Sequence, residues 1–203
     1  APLSETDNFD SAKLGVQYTT LRVPLGDRLS LTQRPGWLRL FGKEAISSNH
    51  EVSLVARRQQ DFFCLAETCM DFSPQWQEHA AGLLYLYNNE SFYGLIKTLD
   101  KDDAPVLKLL RSDKRVITEE ISPIPLQKSL LYLRVTVKEI TSQFSYSYDG
   151  KHWEDIPYQC DGQILTDEHN AGFTGSHFAL YAHDMVDGTH FADFDYFTYQ
   201  TTK

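Results

Sequence analysis

The chain has 203 residues, 19 Lys and Arg against 28 Asp and Glu, and a formal net charge of −9. This acidity disfavours a nucleic-acid or anionic-membrane partner, because either would require a basic face. Aromatic residues make up 13% of the chain, so a sizeable core is available and disorder is not expected. The length suits one β-domain.

Polar residues dominate the start of the chain, so residues 1–8 are predicted to be a linker and residues 9–203 the folded domain. Strand patterns recur from there to the end. Phe62, Cys64, Ala66 and Met70 share one face of a long predicted strand. The stretch 82–87 is almost wholly apolar, which is typical of a strand covered on both faces.

The clearest period-two alternation covers residues 131–138, where one predicted face is apolar and the other polar. Further on, alternating aromatics run into Asp149 and Gly150, a pattern that predicts a two-residue hairpin turn. Helical periodicity is nearly absent, apart from a short predicted turn near residues 73–76. The residues expected inside are Phe62, Cys64, Ala66, Met70, Leu131, Leu133, Val135, Val137, Phe144 and Phe194.

Many strands at short spacing, separated by Gly, Pro and Asp turns, favour a sandwich or a barrel. At this length the prediction is an all-β fold: a two-sheet antiparallel β-sandwich of jelly-roll type, with less than about a tenth of its residues in helix.

The three cysteines are Cys64, Cys69 and Cys160. Cys64 and Cys69 are an odd number of residues apart, so on one strand they would point to opposite faces and could not form a disulfide. Three free thiols indicate a reducing compartment, and a cytoplasmic location is expected. The chain starts without Met and with no signal peptide pattern; a fragment and a processed form both stay open.

Acidic residues offer two kinds of chemistry. Glycoside hydrolysis needs two carboxylates facing across a cleft, but Asp193 and Asp195 alternate with aromatic residues, which predicts a solvent-facing or loop-anchoring pair. Calcium requires several oxygen ligands. Asp10 and Asp195 are the candidate calcium ligands if the chain ends lie together, and ion pairing or capping is the alternative. No cofactor is otherwise expected.

The stretch from His169 to Phe178 places Phe173 between two glycines, in a loop that is expected to be exposed. Glycine opens backbone conformations that other residues avoid. One interpretation is that Phe173 folds back as a plug over the end of the core. The other is that its ring is offered to a sugar or to a neighbouring domain.

Several stretches together resemble the C-terminal β-sandwich domain of bacterial family-43 glycoside hydrolases of the β-xylosidase and α-L-arabinofuranosidase type. They run in order and cover nearly the whole chain. They are Asp7-Asn8-Phe9-Asp10, residues 31–40 (LTQRPGWLRL), residues 53–59 (SLVARRQ), Ala81-Gly82-Leu83, Tyr87-Asn88, Ser147-Tyr148-Asp149-Gly150, residues 171–175 (AGFTG) and residues 192–197 (ADFDYF).

The resemblance implies a concanavalin-A-like jelly roll that packs on a catalytic β-propeller of the same enzyme. The catalytic acids of that family lie on the propeller, so the chain is expected to hold no catalytic residue and to show no xylosidase activity alone. The loop with Gly172, Phe173 and Thr174 is then the substrate-binding element, with Phe173 at the rim of the xylo-oligosaccharide pocket. Asn170 departs from the small residue usual in the family, and the turn accommodates it because Asn tolerates left-handed conformations.

A freestanding carbohydrate-binding module is the alternative function, and it predicts an exposed aromatic platform. An independent hydrolase is a third hypothesis, for which the sequence offers no carboxylate pair. The parent enzyme is expected to be an exo-acting xylosidase or arabinofuranosidase. A homo-oligomer stays open.

Overall fold

The computed structural model describes residues 3–202. Within that range the chain forms sixteen β-strands, a four-residue α-helix and two short 3-10 helices. The strands build two eight-stranded antiparallel sheets. The predicted all-β, two-sheet antiparallel sandwich with little helix is confirmed.

The first sheet contains the long strands that the alternating pattern predicted. Its order is β14-β13-β12-β6-β16-β4-β3, with β1 also paired to β16. The strands are β1 (Ser4–Asp7), β3 (Leu29–Ser30), β4 (Leu38–Phe41), β6 (Phe63–Asp71), β12 (Leu130–Lys138), β13 (Thr141–Ser147), β14 (Glu154–Asp161) and β16 (Phe191–Thr201).

The second sheet contains the most apolar strands. Its order is β10-β9-β8-β7-β15-β5-β2, with β11 also paired to β9. The strands are β2 (Tyr18–Thr19), β5 (Ser53–Arg58), β7 (His79–Leu86), β8 (Phe92–Leu99), β9 (Pro105–Asp113), β10 (Val116–Glu119), β11 (Ile124–Pro125) and β15 (His177–Asp184).

Helical structure is confined to short turns. One 3-10 helix spans Gly26–Arg28 and the other spans Gly162–Leu165, and the α-helix α1 (Asp167–Asn170) follows the second one directly. The second 3-10 helix and α1 both lie in the connection between β14 and β15. The helical turn predicted near residues 73–76 is absent: residues 75–76 form a bend, and the turn comes after them, at residues 77–78.

The main core lies between the two sheets, and a second buried cluster covers the outer face of the second sheet. This second cluster explains why every residue of β7 and β8 is buried, and it confirms the prediction that the 82–87 stretch is covered on both faces. Nine of the ten predicted interior residues are buried: Cys64, Ala66, Met70, Leu131, Leu133, Val135, Val137, Phe144 and Phe194.

Phe62 is the exception, since 72% of it is exposed. It lies one residue before β6 begins, so the alternating pattern was extended past the end of the sandwich, where no second sheet covers the ring. Its carbonyl accepts a hydrogen bond from the Glu139 amide, 2.7 Å away. The prediction that Phe62 lies inside is therefore wrong.

Two further regions differ from their predictions. Ser4–Asp7 was predicted as linker but pairs along β16; backbone pairing orders it although its side chains are largely exposed. The β13–β14 connection spans residues 148–153 instead of two residues. Asp149 causes this, because its Oδ1 accepts hydrogen bonds from the amides of Lys151 and His152, both 2.8 Å away. Residues 1, 2 and 203 lie outside the described residues.

Candidate functional site

The loop that carries Phe173 begins at helix α1. Thr166 caps this helix, because its hydroxyl accepts a hydrogen bond from the His169 amide at 3.2 Å. Asn170 stays helical and donates its side-chain amide to the Ile164 carbonyl at 2.9 Å. The left-handed residue is Ala171, with φ of 52°. The expected accommodation of Asn170 by a left-handed conformation is therefore wrong: Asn170 is the last helical residue, and the left-handed residue is the next one.

Tyr87, the residue after the end of β7, anchors both sides of the loop. Its hydroxyl donates to Asp167 Oδ1 at 2.7 Å and accepts from the Thr174 amide at 3.4 Å. The same Oδ1 accepts from the Gly175 amide at 3.1 Å. The hydrogen bonds from Tyr87 and Gly175 lower the pKa of the Asp167 carboxyl. The charged form of Asp167 thus holds the loop closed on both flanks of Phe173.

Gly172 is required by close approach to Tyr87. A Cβ at this position would lie 2.2 Å from the Tyr87 hydroxyl oxygen and 3.1 Å from Cζ of the ring. Both distances are shorter than an ordinary van der Waals contact. A glycine at this position therefore lets the loop backbone pass directly over the tyrosine.

Phe173 projects from this anchored loop with 94% of its surface exposed. No aromatic or cationic group contacts its ring among the described residues. The interpretation of Phe173 as a plug over the core is therefore wrong, and the predicted exposure of the ring is confirmed. An apolar side chain held out on a hydrogen-bonded loop is suited to contact another surface.

A cleft of about 330 Å³ lies beside the loop. Asp167, Gly175 and Ser176 form the wall that belongs to the loop, while Phe62 and Ile140 line the cleft from the β5–β6 and β12–β13 connections. Ile140 is 46% exposed. We call Phe62, Ile140 and Phe173 the apolar end of the sandwich, because all three are exposed at the same end of the strands.

The acidic candidates have different environments. Asp193 is only 2% exposed, and it accepts hydrogen bonds from Arg39 Nε at 2.7 Å and from Arg34 Nη1 at 3.0 Å. Asp193 therefore does not face solvent; of the two predicted roles the loop-anchoring one fits, since Arg34 lies in the connection between β3 and β4. Burial, followed by the nearby charge of Asp10, raises the pKa of Asp195.

No group of three or more His, Cys, Asp or Glu side chains suited to a metal occurs in residues 3–202. Asp10 and Asp195 lie close enough for their charges to interact, but they lack further carboxylate ligands. Calcium at this pair stays a prediction. A thermal melt of the chain with calcium and with a chelator tests it, since a ligand that binds only the folded state raises Tm.

Asp167 was missed from the sequence, although it is the acceptor that organises the loop. A lone Asp at the first position of a short helix gives no signal, because its partner Tyr87 is 80 residues away. His169 likewise had no role predicted from the sequence, yet its Nε2 contacts Asp113 Oδ1 at 2.8 Å and fastens the helix to β9.

The two packed antiparallel sheets define a β-sandwich domain of the concanavalin A-like class. Residues 6–200 match the family described as the β-xylosidase C-terminal concanavalin A-like domain, found in family-43 glycoside hydrolases. The chain belongs to this family.

Named relatives are consistent with this family assignment. The chain is 34% identical over 208 residues to a β-xylosidase of Bacillus subtilis (strain 168), covering 98% of this chain and 39% of that protein. It is 35% identical over 198 residues to a xylan 1,3-β-xylosidase of a Vibrio species, covering 95% and 37%. A protein of Escherichia coli (strain K12) is 36% identical over 202 residues.

Solved structures are also consistent with this family assignment. The crystal structure of a xylan β-1,4-xylosidase from Bacillus halodurans C-125 superposes with a TM-score of 0.92 at 34% identity, over 97% of this chain and 39% of that one. The chain thus spans less than two fifths of the length of these relatives. Within residues 3–202, no helix has the length and apolar character needed to cross a bilayer.

Proposed function

We propose that the chain is the C-terminal domain of an exo-acting glycosidase of the xylosidase or arabinofuranosidase type, and that it docks on the catalytic β-propeller of that enzyme through its apolar end. The observation that carries the proposal is Phe173, an almost fully exposed ring on a loop fixed by hydrogen bonds. The relatives named as xylosidases are more than twice as long as this chain, which leaves room for such a catalytic domain.

The docking part of the proposal rests on the apolar end. Phe62, Ile140 and Phe173 are large exposed apolar side chains; the first two line the cleft, and Phe173 lies on the loop that forms one of its walls. Exposed apolar patches of this kind mark contact surfaces. Burial of such a ring against a partner contributes about 1.5–3 kcal/mol, so three such side chains suffice to orient one domain on the other.

The pocket-rim part rests on the loop. Phe173 has no acidic, basic or nucleophilic group, so it supplies an apolar wall for the sugar chain and takes no part in bond cleavage. A fixed wall favours short xylo-oligosaccharides, since flat sugar faces pack on aromatic rings. Its hydrogen-bonded flanks reduce the entropy lost when the wall meets the substrate.

A cytoplasmic location belongs to the same proposal. Cys64, Cys69 and Cys160 are all free and buried, and free thiols are typical of proteins in a reducing compartment. Homo-oligomerisation is not required for this function.

The test compares two variants in a full-length enzyme that carries this chain. Phe173→Ala is expected to reduce kcat/KM on xylotriose by roughly tenfold to two-hundredfold, the effect of one lost apolar wall contact. Phe62→Ala is the matched control: it removes an exposed ring from the same end, and it is expected to weaken domain docking and lower Tm with a smaller change in specificity.

The chain alone is expected to turn over no aryl xyloside. An unchanged kcat/KM in Phe173→Ala, with a normal Tm, would exclude the pocket-rim role. Phe62→Ala with unaltered Tm and unaltered protease resistance between the domains would exclude the docking role. In the chain alone, Phe173→Ala should shift the free energy of unfolding by less than about 0.5 kcal/mol, as for a surface side chain.

A further inference from the structure

Three tryptophans occur in the chain, and they differ in what covers their rings. The guanidinium of Arg34 lies 3.6 Å from the ring centroid of Trp37, and that of Arg134 lies 3.8 Å from the ring of Trp153. Trp76 is 57% exposed. Within residues 3–202, no aromatic or cationic group lies on its ring. Trp76 therefore presents an open indole face to solvent.

Two histidines fix the turn that carries Trp76 through hydrogen bonds to its backbone. The Gln75 amide donates to His79 Nδ1 at 3.3 Å, and the His79 amide donates to the Trp76 carbonyl at 3.0 Å. His190 Nε2 donates to the Ser73 carbonyl at 2.8 Å. His79 is 3% exposed and stacks on His190 with ring centroids 4.3 Å apart. The indole is thus exposed on a fixed backbone, not on a loose loop.

Trp76 borders a cleft of about 400 Å³ that lies between this turn, β8 and the segment before β12. Ligand sites commonly have volumes of about 300–1,000 Å³. The side-chain amides of Gln75 and Gln127 line the cleft and make no hydrogen bond among the described residues. Each amide group offers both donors and an acceptor.

Lys97 contributes a buried charge to the same cleft. The residue is 1% exposed, and its ammonium donates to the carbonyls of Lys128 and Ser129 at 2.9 and 3.1 Å. An ammonium group carries three N–H donors, so one is left without an acceptor in residues 3–202. Burial lowers the pKa of Lys97 to about 8, and the group stays mostly protonated at neutral pH. An oxygen atom in the cleft would satisfy the third donor.

We propose that this cleft is a second saccharide-binding site, separate from the Phe173 loop, that takes neutral pyranose chains such as xylo-oligosaccharides. The apolar CH face of one sugar ring stacks on Trp76, and its hydroxyl oxygens meet the amides of Gln75 and Gln127 and the free N–H of Lys97. An open aromatic face beside unpaired amides is the chemistry that sugar recognition requires.

The two sites lie at opposite ends of the sandwich. Strand β6 begins next to Phe62 at the apolar end and ends at Asp71, shortly before the Trp76 turn. Its nine residues span about 30 Å at about 3.3 Å per residue. A sugar bound at Trp76 is therefore remote from the loop, and the site would hold a longer polysaccharide near the enzyme without entering the pocket.

The test is a titration of this 203-residue chain with xylotetraose, followed by the indole N–H signals of its three tryptophans in two-dimensional nitrogen–proton NMR. Saturable movement of the Trp76 signal is expected, with Kd on the order of 1 mM. Trp76→Ala should weaken binding at least about tenfold, the loss of one stacking contact of about 1.4 kcal/mol. Gln127→Ala, which keeps the indole, should weaken it by a smaller factor.

Val116→Ala is the matched control: it removes an exposed apolar side chain at the end of β9 away from the cleft, and it should leave the titration unchanged. Since Trp76 is exposed, its alanine variant should keep the wild-type Tm, and calorimetric titration then measures its affinity directly. The proposal is overturned by any of three results: no saturable shift up to about 20 mM sugar, equal affinity in Trp76→Ala, or loss of binding in Val116→Ala.

Discussion

Gly172→Ala tests the geometry of the Phe173 loop by adding one methyl group. The new Cβ would lie 2.2 Å from the Tyr87 hydroxyl oxygen. The φ angle of Gly172 is not in the left-handed region, so the backbone itself accepts alanine. The clash with Tyr87 is thus the obstacle that the structure identifies.

Movement of Tyr87 away from the new methyl group would cost free energy. Its ring is 7% exposed and packs in the main core, and its hydroxyl binds Asp167 and the Thr174 amide. Relief of the clash must tilt the ring against the core or shift the loop, and both actions break hydrogen bonds. Overpacking of this kind costs about 1–3 kcal/mol, and we expect Gly172→Ala to lower the free energy of unfolding by about 2 kcal/mol.

The assay is urea unfolding of four proteins: wild type, Gly172→Ala, Tyr87→Phe and the double variant. Tyr87→Phe removes the oxygen that the methyl group would meet. Gly172→Ala should therefore cost less than about 1 kcal/mol in the Tyr87→Phe background. The difference between the two costs is the coupling free energy between the new methyl group and the Tyr87 hydroxyl, and it includes the loss of the bonds from this hydroxyl to Asp167 and the Thr174 amide.

Equal costs of Gly172→Ala in the two backgrounds would refute this reasoning. The glycine would then be needed for a reason other than the approach of Tyr87, and the close packing of the loop on the hydroxyl would have no energetic role. A changed m-value in the single variant alone would instead indicate a less compact native loop.

Two other predictions concern charged groups. Asp193→Ala should lower the free energy of unfolding by about 2–3 kcal/mol, because it leaves Arg39 without the carboxylate that binds its Nε and Nη2. Asp195→Ala is the matched control and should lower it far less, since the pKa of Asp195 is already raised by burial; equal losses in urea unfolding would contradict this. Burial lowers the pKa of His183 to about 4 and lowers that of His79 below 6.5, so the unfolded chain binds more protons than the folded one between these values. Tm should therefore fall as the pH is lowered from about 6.5 to 4, and a Tm that is flat over this interval would contradict the neutral state of these two histidines in the folded chain.

The layers of the sandwich followed from the sequence because strand side chains alternate with period two. The alternation in 131–138 predicted β12 and its buried face correctly, since a buried face accepts only apolar residues. The apolar 82–87 stretch likewise predicted a strand covered on both sides. The exposed Phe173 and its two flanking glycines could also be recognised as a feature of interest from the residues alone.

Only the tertiary structure decided what covers each face and which distant groups meet. Asp193 alternates with aromatic residues, as a solvent-facing position on a strand would, but two arginines bind it and cover it. Asp167 and Tyr87 meet across 80 residues, and no local pattern carries such a contact. The physical reason is that alternation fixes the side of a strand on which a residue lies, whereas hydrogen bonds and docking surfaces depend on which loops converge at the ends of the strands.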